Sequence, residues 1–271
     1  MESITSRKNP LILEISKLKM KKYRDEKALF IVEGKKLFSE AVKAGLVPKY
    51  VFLCDDASEE VEVCFDNCRT FSLTRQVYEK ITTEKSPQGI MGVFPYGENI
   101  IRCNDDISEN ESFNKINEVF KSATNGYIII ENVQDPGNVG TIIRTALAFG
   151  IDAVLCVDGA DVYNPKTMRA AMGALFGMKT VICRDIFQAV NFARKSTSAI
   201  YAAALDKTSI SIDKADFSQP RAVMIGNEGN GLTAEALSVC DSRVIIPISD
   251  KSESLNAGIA AAVFMDHMRR H

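Results

Sequence analysis

The chain has 271 residues, of which 46% are hydrophobic and 25% are charged, and its formal net charge at pH 7 is −2. These values are ordinary for folded globular proteins, and the length suffices for one large domain or two modest ones. No run approaches the ~18 apolar residues of a membrane span, and the polar N-terminus lacks the apolar segment of a signal peptide, so we expect no membrane association.

The cysteines and histidines of the sequence limit the cellular compartment and the kinds of catalysis that can be expected. Seven cysteines at irregular spacing argue against a disulfide framework and predict a reducing compartment, the cytoplasm. The only close pair is Cys64-x-x-x-Cys68, whereas a structural zinc site needs about four ligands, so we expect no metal. The two histidines, His267 and His271, lie at the C-terminal end. A Ser-His-Asp hydrolase or a histidine general base is therefore not expected.

The N-terminal part of the chain is basic, with 12 Lys and Arg against 6 Asp and Glu in residues 1–50. Apolar Ile12, Ile15 and Leu18 recur at helical spacing within residues 9–25. The basic residues on or beside the other face are Lys17, Lys19, Lys21, Lys22 and Arg24. This pattern predicts a basic helix, which suits contact with an RNA phosphate backbone and equally well an ordinary solvated helix face.

Strands and helices alternate after this helix. Apolar runs at residues 30–34 and 50–54 predict strands, and helices are expected over residues 35–44 and 74–81. The first of these helices should end at Gly45, since glycine commonly follows the last helical turn. A small domain of mixed strands and helices is therefore predicted before residue 97.

Composition changes between residues 97 and 125, where the sequence turns polar and acidic. Such a stretch predicts a mobile interdomain linker, with a helix near residues 113–121. The expected division of the chain is an N-terminal domain at residues 1–97, a linker at residues 98–125 and a C-terminal domain at residues 126–271.

The C-terminal domain is predicted to alternate strictly between strands and helices. Strands are expected at residues 127–131, 153–157, 180–183, 200–205, 222–225 and 244–248. Helices are expected from the Pro136-Gly137 turn to Gly150, from Asn164-Pro165 to Phe176, and over residues 187–195, the first with Ile142, Ile143, Ala146 and Leu147 facing inward. This order predicts an open parallel sheet with helices on both faces, in which ligands bind beyond the carboxyl ends of the strands.

Three segments of this domain carry a family resemblance. They are residues 132–146 (NVQDPGNVGTIIRTA), residues 225–232 (IGNEGNGL) and residues 246–256, which begin IPI and end SLN. Together they resemble the three motifs of the SpoU/TrmH family of RNA ribose 2′-O-methyltransferases, within the SPOUT superfamily. Three motifs in the right order are far more specific than one. Residues 7–10, 30–34 and 86–89 are similar, more weakly, to the L30e-like αβα substrate-binding domain common at the N-terminus of this family.

The resemblance implies a fold and an activity that the pattern of elements does not. The C-terminal domain is expected to contain a deep trefoil knot around residues 222–241, although knots are otherwise rare. The expected reaction is methyl transfer from S-adenosylmethionine to a ribose 2′-hydroxyl of structured RNA, with ribosomal favoured over transfer RNA. A homodimer through the C-terminal domain is also implied, with each partner contributing to one substrate site.

Site residues follow from the matching motif positions. The resemblance assigns catalysis to Asn132, Arg144, Glu228, Ser254 and Asn256, and cofactor binding to Leu205, Gly226, Ile246, Leu255 and Asn256. Simpler explanations stay open, because Gly226 suits a tight turn, Ser254 a helix N-cap and Arg144 a structural ion pair. On the last helix Ile259, Ala262, Val263 and Met265 form either a dimer surface or core, and the adjacent Gly258 indicates close packing.

Other functions are weighed against this one. A related knotted enzyme that methylates an RNA base and an RNA-binding protein without catalysis both remain alternatives. Residues 226–231 form G-x-x-G-x-G, which is not the dinucleotide fingerprint G-x-G-x-x-G, and the chain has no G-x-x-x-x-G-K-[ST] phosphate loop. A nucleotide-dependent dehydrogenase or a P-loop enzyme is therefore not expected.

Overall fold

Two sheets with flanking helices form the fold of the computed structural model, which describes residues 1–56, 68–103, 111–206 and 208–270. Cys64 and His271 lie outside these described residues. No described helix has the length and apolar character needed to span a bilayer. The two sheets contain five and eight strands, respectively.

The N-terminal sheet is mixed and has helices on both faces, as the αβα prediction requires. Its strands are β1 Glu2–Ile4, β2 Leu29–Glu33, β3 Tyr50–Cys54, β4 Arg69–Leu73 and β5 Ile90–Pro95, in the order β1-β4-β3-β5-β2. The helices are α1 Pro10–Lys17, α2 Lys21–Lys27, α3 Lys35–Lys43 and α4 Arg75–Ile81. One core joins α1 and α4 to the sheet through Ile12, Ile15 and Tyr78. The other face packs against α3 through Leu37 and Phe38.

The basic helix predicted for residues 9–25 is divided in two. Helix α1 ends at Lys17, and Met20 has an extended backbone, with ψ of 134°, before α2 begins. Ile12, Ile15 and Leu18 are buried as predicted. Arg24 was expected on the basic face, and that expectation is wrong because its side chain is only 2% exposed.

The C-terminal sheet has eight strands, and every neighbouring pair is parallel. The strands are β6 Ile100–Arg102, β7 Tyr127–Glu131, β8 Ala153–Val157, β9 Thr180–Cys183, β10 Ala199–Ala203, β11 Ile210–Ser211, β12 Arg221–Ile225 and β13 Ser242–Ile245. Their order is β11-β13-β10-β12-β7-β8-β9-β6. The predicted parallel sheet is confirmed, and the unpredicted β6 and β11 are its two edges.

In the part of the chain that the structure describes, six α-helices cover the two faces of this sheet. They are α5 Glu111–Val119, α6 Pro136–Phe149, α7 Pro165–Ala171, α8 Ile186–Ala193, α9 Ala234–Val239 and α10 Ala257–Arg270. Helices α6, α7 and α10 share one core. Helices α5, α8 and α9 contribute to the core on the other face. The last two helices of the chain therefore lie on opposite faces.

Local sequence explains where α6 and α7 begin and end. The Asp135 carboxylate accepts hydrogen bonds from the backbone N–H groups of Gly137 (2.5 Å) and Asn138 (3.1 Å), which makes Asp135 the N-cap of α6. Helix α7 ends at Ala171 rather than at residue 176, because Met172 has a left-handed backbone with φ of 50°. Leu147, predicted to face inward from α6, is 43% exposed.

Parts of the predicted linker belong to the C-terminal core. Strand β6 pairs with β9 at the edge of the sheet, and Ile101 is buried there. In α5 the side chain of Ile116 is fully buried in the same core. These few apolar residues were not recognised because residues 98–125 are polar overall. The prediction of a mobile linker is therefore wrong for the segments β6 and α5.

A buried ion pair joins the N-terminal domain to the C-terminal one. The Arg24 guanidinium donates to Asp161 through Nη2 (2.5 Å) and Nε (3.1 Å). Its Nη1 donates to the carbonyl oxygens of Leu18 (2.8 Å) and Lys19 (2.9 Å). Both side chains are almost completely buried, at 2% and 6% exposure. Every nitrogen of the guanidinium thus has an acceptor, which a buried charge requires.

Aromatic rings extend this interdomain contact. Tyr96 stacks on Tyr163 with a centroid distance of 4.2 Å and an angle of 6° between the rings. Phe30 contacts the Tyr163 ring at 4.6 Å, and the Arg102 guanidinium lies 4.7 Å from the centre of Tyr96. The Tyr163 hydroxyl accepts a hydrogen bond from the backbone N–H of Gly97 (2.8 Å). These contacts form one continuous apolar core across both domains.

Replacing Arg24 by alanine should lower the free energy of unfolding by about 3–5 kcal/mol, because Asp161 would be left buried without a counter-charge. The matched control is Lys21→Ala, which breaks the exposed pair of Lys21 with Asp25 and should cost at most about 1 kcal/mol. Urea unfolding followed by circular dichroism measures both. A loss of less than about 1 kcal/mol in the free energy of unfolding of Arg24→Ala would contradict the proposed contribution of the buried pair to stability.

Candidate active site

A cavity of about 550 Å³ opens at the carboxyl ends of β10, β12 and β13. Its walls are the loop after β12, the loop after β13 and the residues that follow β10. Predicted site residues on its surface are Leu205, Gly226, Glu228, Ile246, Ser254 and Leu255. Six of the nine predicted residues therefore meet at the sheet edge where parallel α/β folds bind ligands.

The loop after β12 is a compact turn. Asn227 and Gly231 exchange two backbone hydrogen bonds of 2.9 and 3.0 Å, and the Asn227 side chain accepts from the N–H of Gly229 (2.9 Å) and Asn230 (3.0 Å). A Cβ atom on Gly226 would lie 2.3 Å from the carbonyl carbon of Gly231. The turn by itself therefore requires glycine at position 226, which is the simpler of the two explanations offered by the sequence.

Hydrogen bonds hold both ends of this loop, and one of them involves a buried carboxylate. The Glu131 carboxylate, 5% exposed at the end of β7, accepts hydrogen bonds from the N–H (2.9 Å) and the hydroxyl (2.7 Å) of Thr233. The Thr233 hydroxyl in turn accepts from the N–H of Ala236 and caps α9. At the other end, the Asn227 amide donates to the carbonyl oxygen of Asn132 (2.9 Å). Glu131 is not among the residues predicted from the sequence, although a carboxylate at the end of an apolar strand was a visible signal.

Asn138 connects three segments of the site. Its side-chain N–H donates to Glu228 Oε1 (2.7 Å), and its oxygen accepts from Asn256 Nδ2 (3.0 Å). Asn138 lies in the first turn of α6, Glu228 in the loop after β12 and Asn256 at the start of α10. Asn138 is not among the site residues predicted from the sequence, and the available signal was a polar amide in the first turn of a helix that follows a strand of the parallel sheet.

Asn256 is the N-cap of α10. Its Oδ1 accepts from the backbone N–H groups of Gly258 (2.9 Å) and Ile259 (3.3 Å). The alternative that Ser254 is the cap is therefore wrong, since the capping oxygen belongs to Asn256. The close packing expected at Gly258 is confirmed, because a Cβ atom there would lie 3.3 Å from Thr141 Cγ2 on α6.

Two predicted residues lie apart from this cavity. Asn132 has a left-handed backbone with φ of 55°, and its side chain accepts a hydrogen bond from Gln134. Its contribution to the site is the backbone carbonyl that Asn227 contacts. Arg144 is exposed on α6, three residues after Thr141, and has no ion pair or hydrogen bond with any described residue. The alternative of a structural ion pair for Arg144 is thus not supported within the described part of the chain.

Charge at the start of α6 stabilises the position of Asn138. The Lys166 ammonium lies 2.9 Å from the Asp135 carboxylate. This hydrogen bond, followed by those from the N–H groups of Asn138 and Gly137, holds the pKa of Asp135 below its ordinary value. An ionised carboxylate at a helix N-terminus also interacts favourably with the helix dipole.

One group of potential metal ligands occurs among the described residues. Cys54, Asp55 and Asp56 each offer one ligand atom, and these atoms lie within 4.8 Å of one another. Burial, the largest cause, raises the pKa of the Cys54 thiol to about 11, which disfavours the thiolate that a metal binds. Three ligands also fall short of the four in a structural zinc site.

Two family models match the chain. The model described as the SpoU rRNA Methylase family matches residues 125–266. The model described as the MRM3-like substrate binding domain matches residues 9–92. The first match covers the eight-stranded sheet from β7 onward together with all three loops of the cavity.

Individual relatives extend the similarity over the whole chain. The 23S rRNA (guanosine(2553)-2′-O)-methyltransferase RlmP of Bacillus subtilis is 30% identical, covering 99% of this chain and 100% of the relative. The mitochondrial rRNA methyltransferase 3 of Homo sapiens is 26% identical over 93% of this chain and 70% of its own. The crystal structure of an AdoMet-bound rRNA methyltransferase from Sinorhizobium meliloti superposes with a TM-score of 0.84 at 27% identity, covering 100% of this chain and 98% of that one.

Replacing Gly226 by alanine should lower the free energy of unfolding by about 1–3 kcal/mol, because the new Cβ atom would overlap the backbone of residues 231 and 232. Gly229→Ala is the matched control in the same loop, since its nearest neighbour would lie at an ordinary 3.5 Å. The control should change stability by less than about 0.5 kcal/mol. Equal effects of the two substitutions in urea unfolding would refute the tight turn.

Proposed function

The chain belongs to the SpoU rRNA methylase family, and from this premise we propose that it transfers a methyl group from S-adenosylmethionine to a ribose 2′-hydroxyl of ribosomal RNA. The observation that carries the proposal is the hydrogen-bonded group of Asn138, Glu228 and Asn256 beside the 550 Å³ cavity. A positioned carboxylate beside a cavity of this size can accept a proton from a substrate, which favours catalysis over RNA binding alone. The relative from Bacillus subtilis is named as a ribose 2′-O-methyltransferase, which favours the sugar over a base as the acceptor.

The cavity fits the cofactor. Its volume lies within the range of about 300–1,000 Å³ that small-molecule sites occupy. Leu205, Ile246 and Leu255 supply apolar walls, and the backbone of the turn at Gly226 supplies polar atoms. Asn256, the fifth predicted cofactor residue, lies between Leu255 and Ala257, which both line the cavity. When bound, S-adenosylmethionine supplies the methyl group that is transferred.

We assign the acceptor side of the reaction to four side chains. Asn138 holds the Glu228 carboxylate and the Asn256 amide in fixed positions, and in this role it replaces Asn132 of the sequence prediction. Glu228 is the group that accepts the proton of the 2′-hydroxyl. Arg144 supplies a positive charge and a planar set of N–H donors, so its role is to bind an RNA phosphate or the developing alkoxide.

A second copy of the chain completes the site in this proposal. Arg144 does not line the cavity of its own chain, whereas Leu147 on α6 and Ile259 on α10 expose 43% and 53% of their surface. Thr141, one turn before Arg144, contacts the start of α10, so Arg144 lies on the same side of α6. Met265 is fully buried and belongs to the core rather than to this surface.

The domain roles, the compartment and the knot that the sequence predicts belong to the same proposal. We propose that residues 1–97 bind the RNA and that residues 126–271 carry out the transfer in the cytoplasm. We also propose the trefoil knot of the family. Its support is that the chain runs from β12 through α9 on one face to β13 beyond β10, and then to α10 on the opposite face.

The decisive experiment is transfer of labelled methyl from S-adenosylmethionine to unmodified total RNA, with size separation and nucleoside digestion. Label in a 2′-O-methyl nucleoside of ribosomal RNA is the expected outcome. Label on a base would move the function to base methylation. Absence of label from a protein that binds the cofactor would favour an RNA-binding protein without catalysis and overturn the proposal.

Arg144→Ala should reduce turnover by about 100-fold or more while leaving stability and cofactor affinity unchanged, because its exposed side chain makes no ion pair or hydrogen bond with a described residue of its own chain. Lys179→Ala removes another exposed cation of the same domain and should leave turnover within about twofold. Single-turnover methylation and calorimetric cofactor binding measure the two effects. Near-normal turnover of the Arg144 variant would remove this residue from the reaction.

Light scattering at micromolar concentration should give twice the mass of one chain. The double variant Leu147→Asp with Ile259→Asp should be monomeric and inactive, because two charges would have to be buried in the interface. Val47→Asp, at a position of the N-terminal domain that is 54% exposed, is the control and should remain dimeric. A monomeric wild-type protein with full activity would rule out a shared site.

A further inference from the structure

A second cavity, of about 330 Å³, lies between the two domains, and we call it the interdomain cavity. The N-terminal domain contributes the start of α3 and the segment that precedes β5, including Lys36, Ser86 and Gln88. The C-terminal domain contributes Arg169 of α7 and Met172, the residue that follows this helix. Two strings that the sequence analysis singled out, residues 30–34 and 86–89, therefore meet here although more than fifty residues separate them.

The walls of the interdomain cavity are fixed by buried hydrogen bonds. The Glu33 carboxylate, 7% exposed, accepts from the Thr83 N–H (2.8 Å), the Thr83 hydroxyl (2.8 Å), and the hydroxyls of Thr82 and Tyr78. The Arg169 guanidinium crosses the boundary between the domains to Glu84 (2.9 Å) and to the Thr83 hydroxyl (3.3 Å). The cavity is thus preorganised, which lowers the entropic cost of binding.

Two carboxylates and two cations line the interdomain cavity, so their formal charges sum to zero, but among the described residues one of the cations has no direct partner. Glu33 is satisfied by hydroxyl and amide donors, and Glu84 is neutralised by Arg169. The exposed Lys36 has no ion pair or hydrogen bond with any residue that the structure describes. The Lys36 ammonium can therefore form a direct, charge-assisted hydrogen bond with an anionic group of a ligand, whereas Arg169 is already paired with Glu84.

The remaining lining combines hydrogen-bond donors with an apolar surface. Gln88 uses its side-chain oxygen to accept from the Lys35 N–H (2.8 Å), so its amide N–H₂ group remains available as a donor. The Ser86 hydroxyl is exposed nearby. Leu37 and Met172 form the apolar part of the wall, and Met172 is 40% exposed. The ligand that matches this lining has an anionic group, polar edges and a flat apolar face, and a nucleotide combines all three.

We propose that the interdomain cavity binds one unpaired nucleotide of the RNA substrate, with its phosphate beside Lys36 and its base against Met172. The volume, near the lower end of the range for ligand sites, suits one nucleotide rather than a helical segment. Proteins read RNA mainly through unpaired bases, which can be unstacked and accommodated singly. The proposal rests on the proposed function and adds a second RNA contact away from the methyl-transfer site.

The test compares Lys36→Ala with Lys43→Ala. Both lysines lie on α3, but Lys43 is in its last turn, paired with Glu40, and does not line the cavity. Lys36→Ala should weaken binding of a ribosomal RNA fragment about tenfold and reduce the slope of log K against log salt by about one. Lys43→Ala should stay within about twofold, and calorimetric affinity for S-adenosylmethionine should be unchanged in both.

Met172→Gly is a second variant that does not threaten the fold. Glycine accommodates the left-handed backbone at this position better than methionine, so stability should be kept or increased. The loss of the apolar side chain should still weaken RNA binding and raise KM without lowering kcat. A melting temperature measured alongside separates this effect from unfolding.

The outcomes distinguish this proposal from the function on which it rests. Suppose that the wild-type protein methylates ribosomal RNA and that Lys36→Ala and Met172→Gly both bind RNA as tightly as wild type. This result would overturn only the proposal for the interdomain cavity. A wild-type protein that neither binds nor methylates ribosomal RNA would overturn both. Competition by a free nucleoside monophosphate that is lost in Lys36→Ala, with RNA binding unchanged, would assign the cavity to a small nucleotide and also overturn the proposal.

Discussion

The amide of Asn138 is the contact on which the arrangement of the candidate active site depends. One side chain donates to Glu228 and accepts from Asn256, so three segments from distant parts of the sequence keep one relative position. Asn256 can take part because its oxygen also caps α10, which fixes the start of that helix. Catalysis by positioning needs this kind of restraint, since small displacements of reacting groups reduce rates strongly.

The loops are in turn held by groups that lie beneath the surface. Glu131 binds Thr233 at the end of β7, so the loop carrying Glu228 is attached to the sheet at both of its ends. Glycine at position 226 allows the turn to close on its own backbone. The loop after β12 is therefore fixed on its side of the cavity, and an incoming cofactor would meet that wall already formed.

The same logic extends from the loops to the domains. The Arg24–Asp161 pair and the stacked rings of Tyr96 and Tyr163 join the two domains through a continuous core. A rigid interdomain surface makes the cavity beside Lys36 a fixed feature. RNA bound there and at the methyl-transfer site would meet two contacts at a set separation, which provides selectivity beyond that of either contact alone.

The sequence by itself determined the parallel sheet, its main strands and the three loops at its carboxyl edge, because apolar runs, caps and motif spacing are local signals. It did not identify Asn138, since its importance comes from contacts with residues 90 and 118 positions away. The burial of Arg24 could not be predicted from the sequence either, because its partner Asp161 belongs to the other domain. Only the tertiary structure decides which polar residues meet, as hydrogen bonding acts over a few ångströms in space irrespective of distance along the chain.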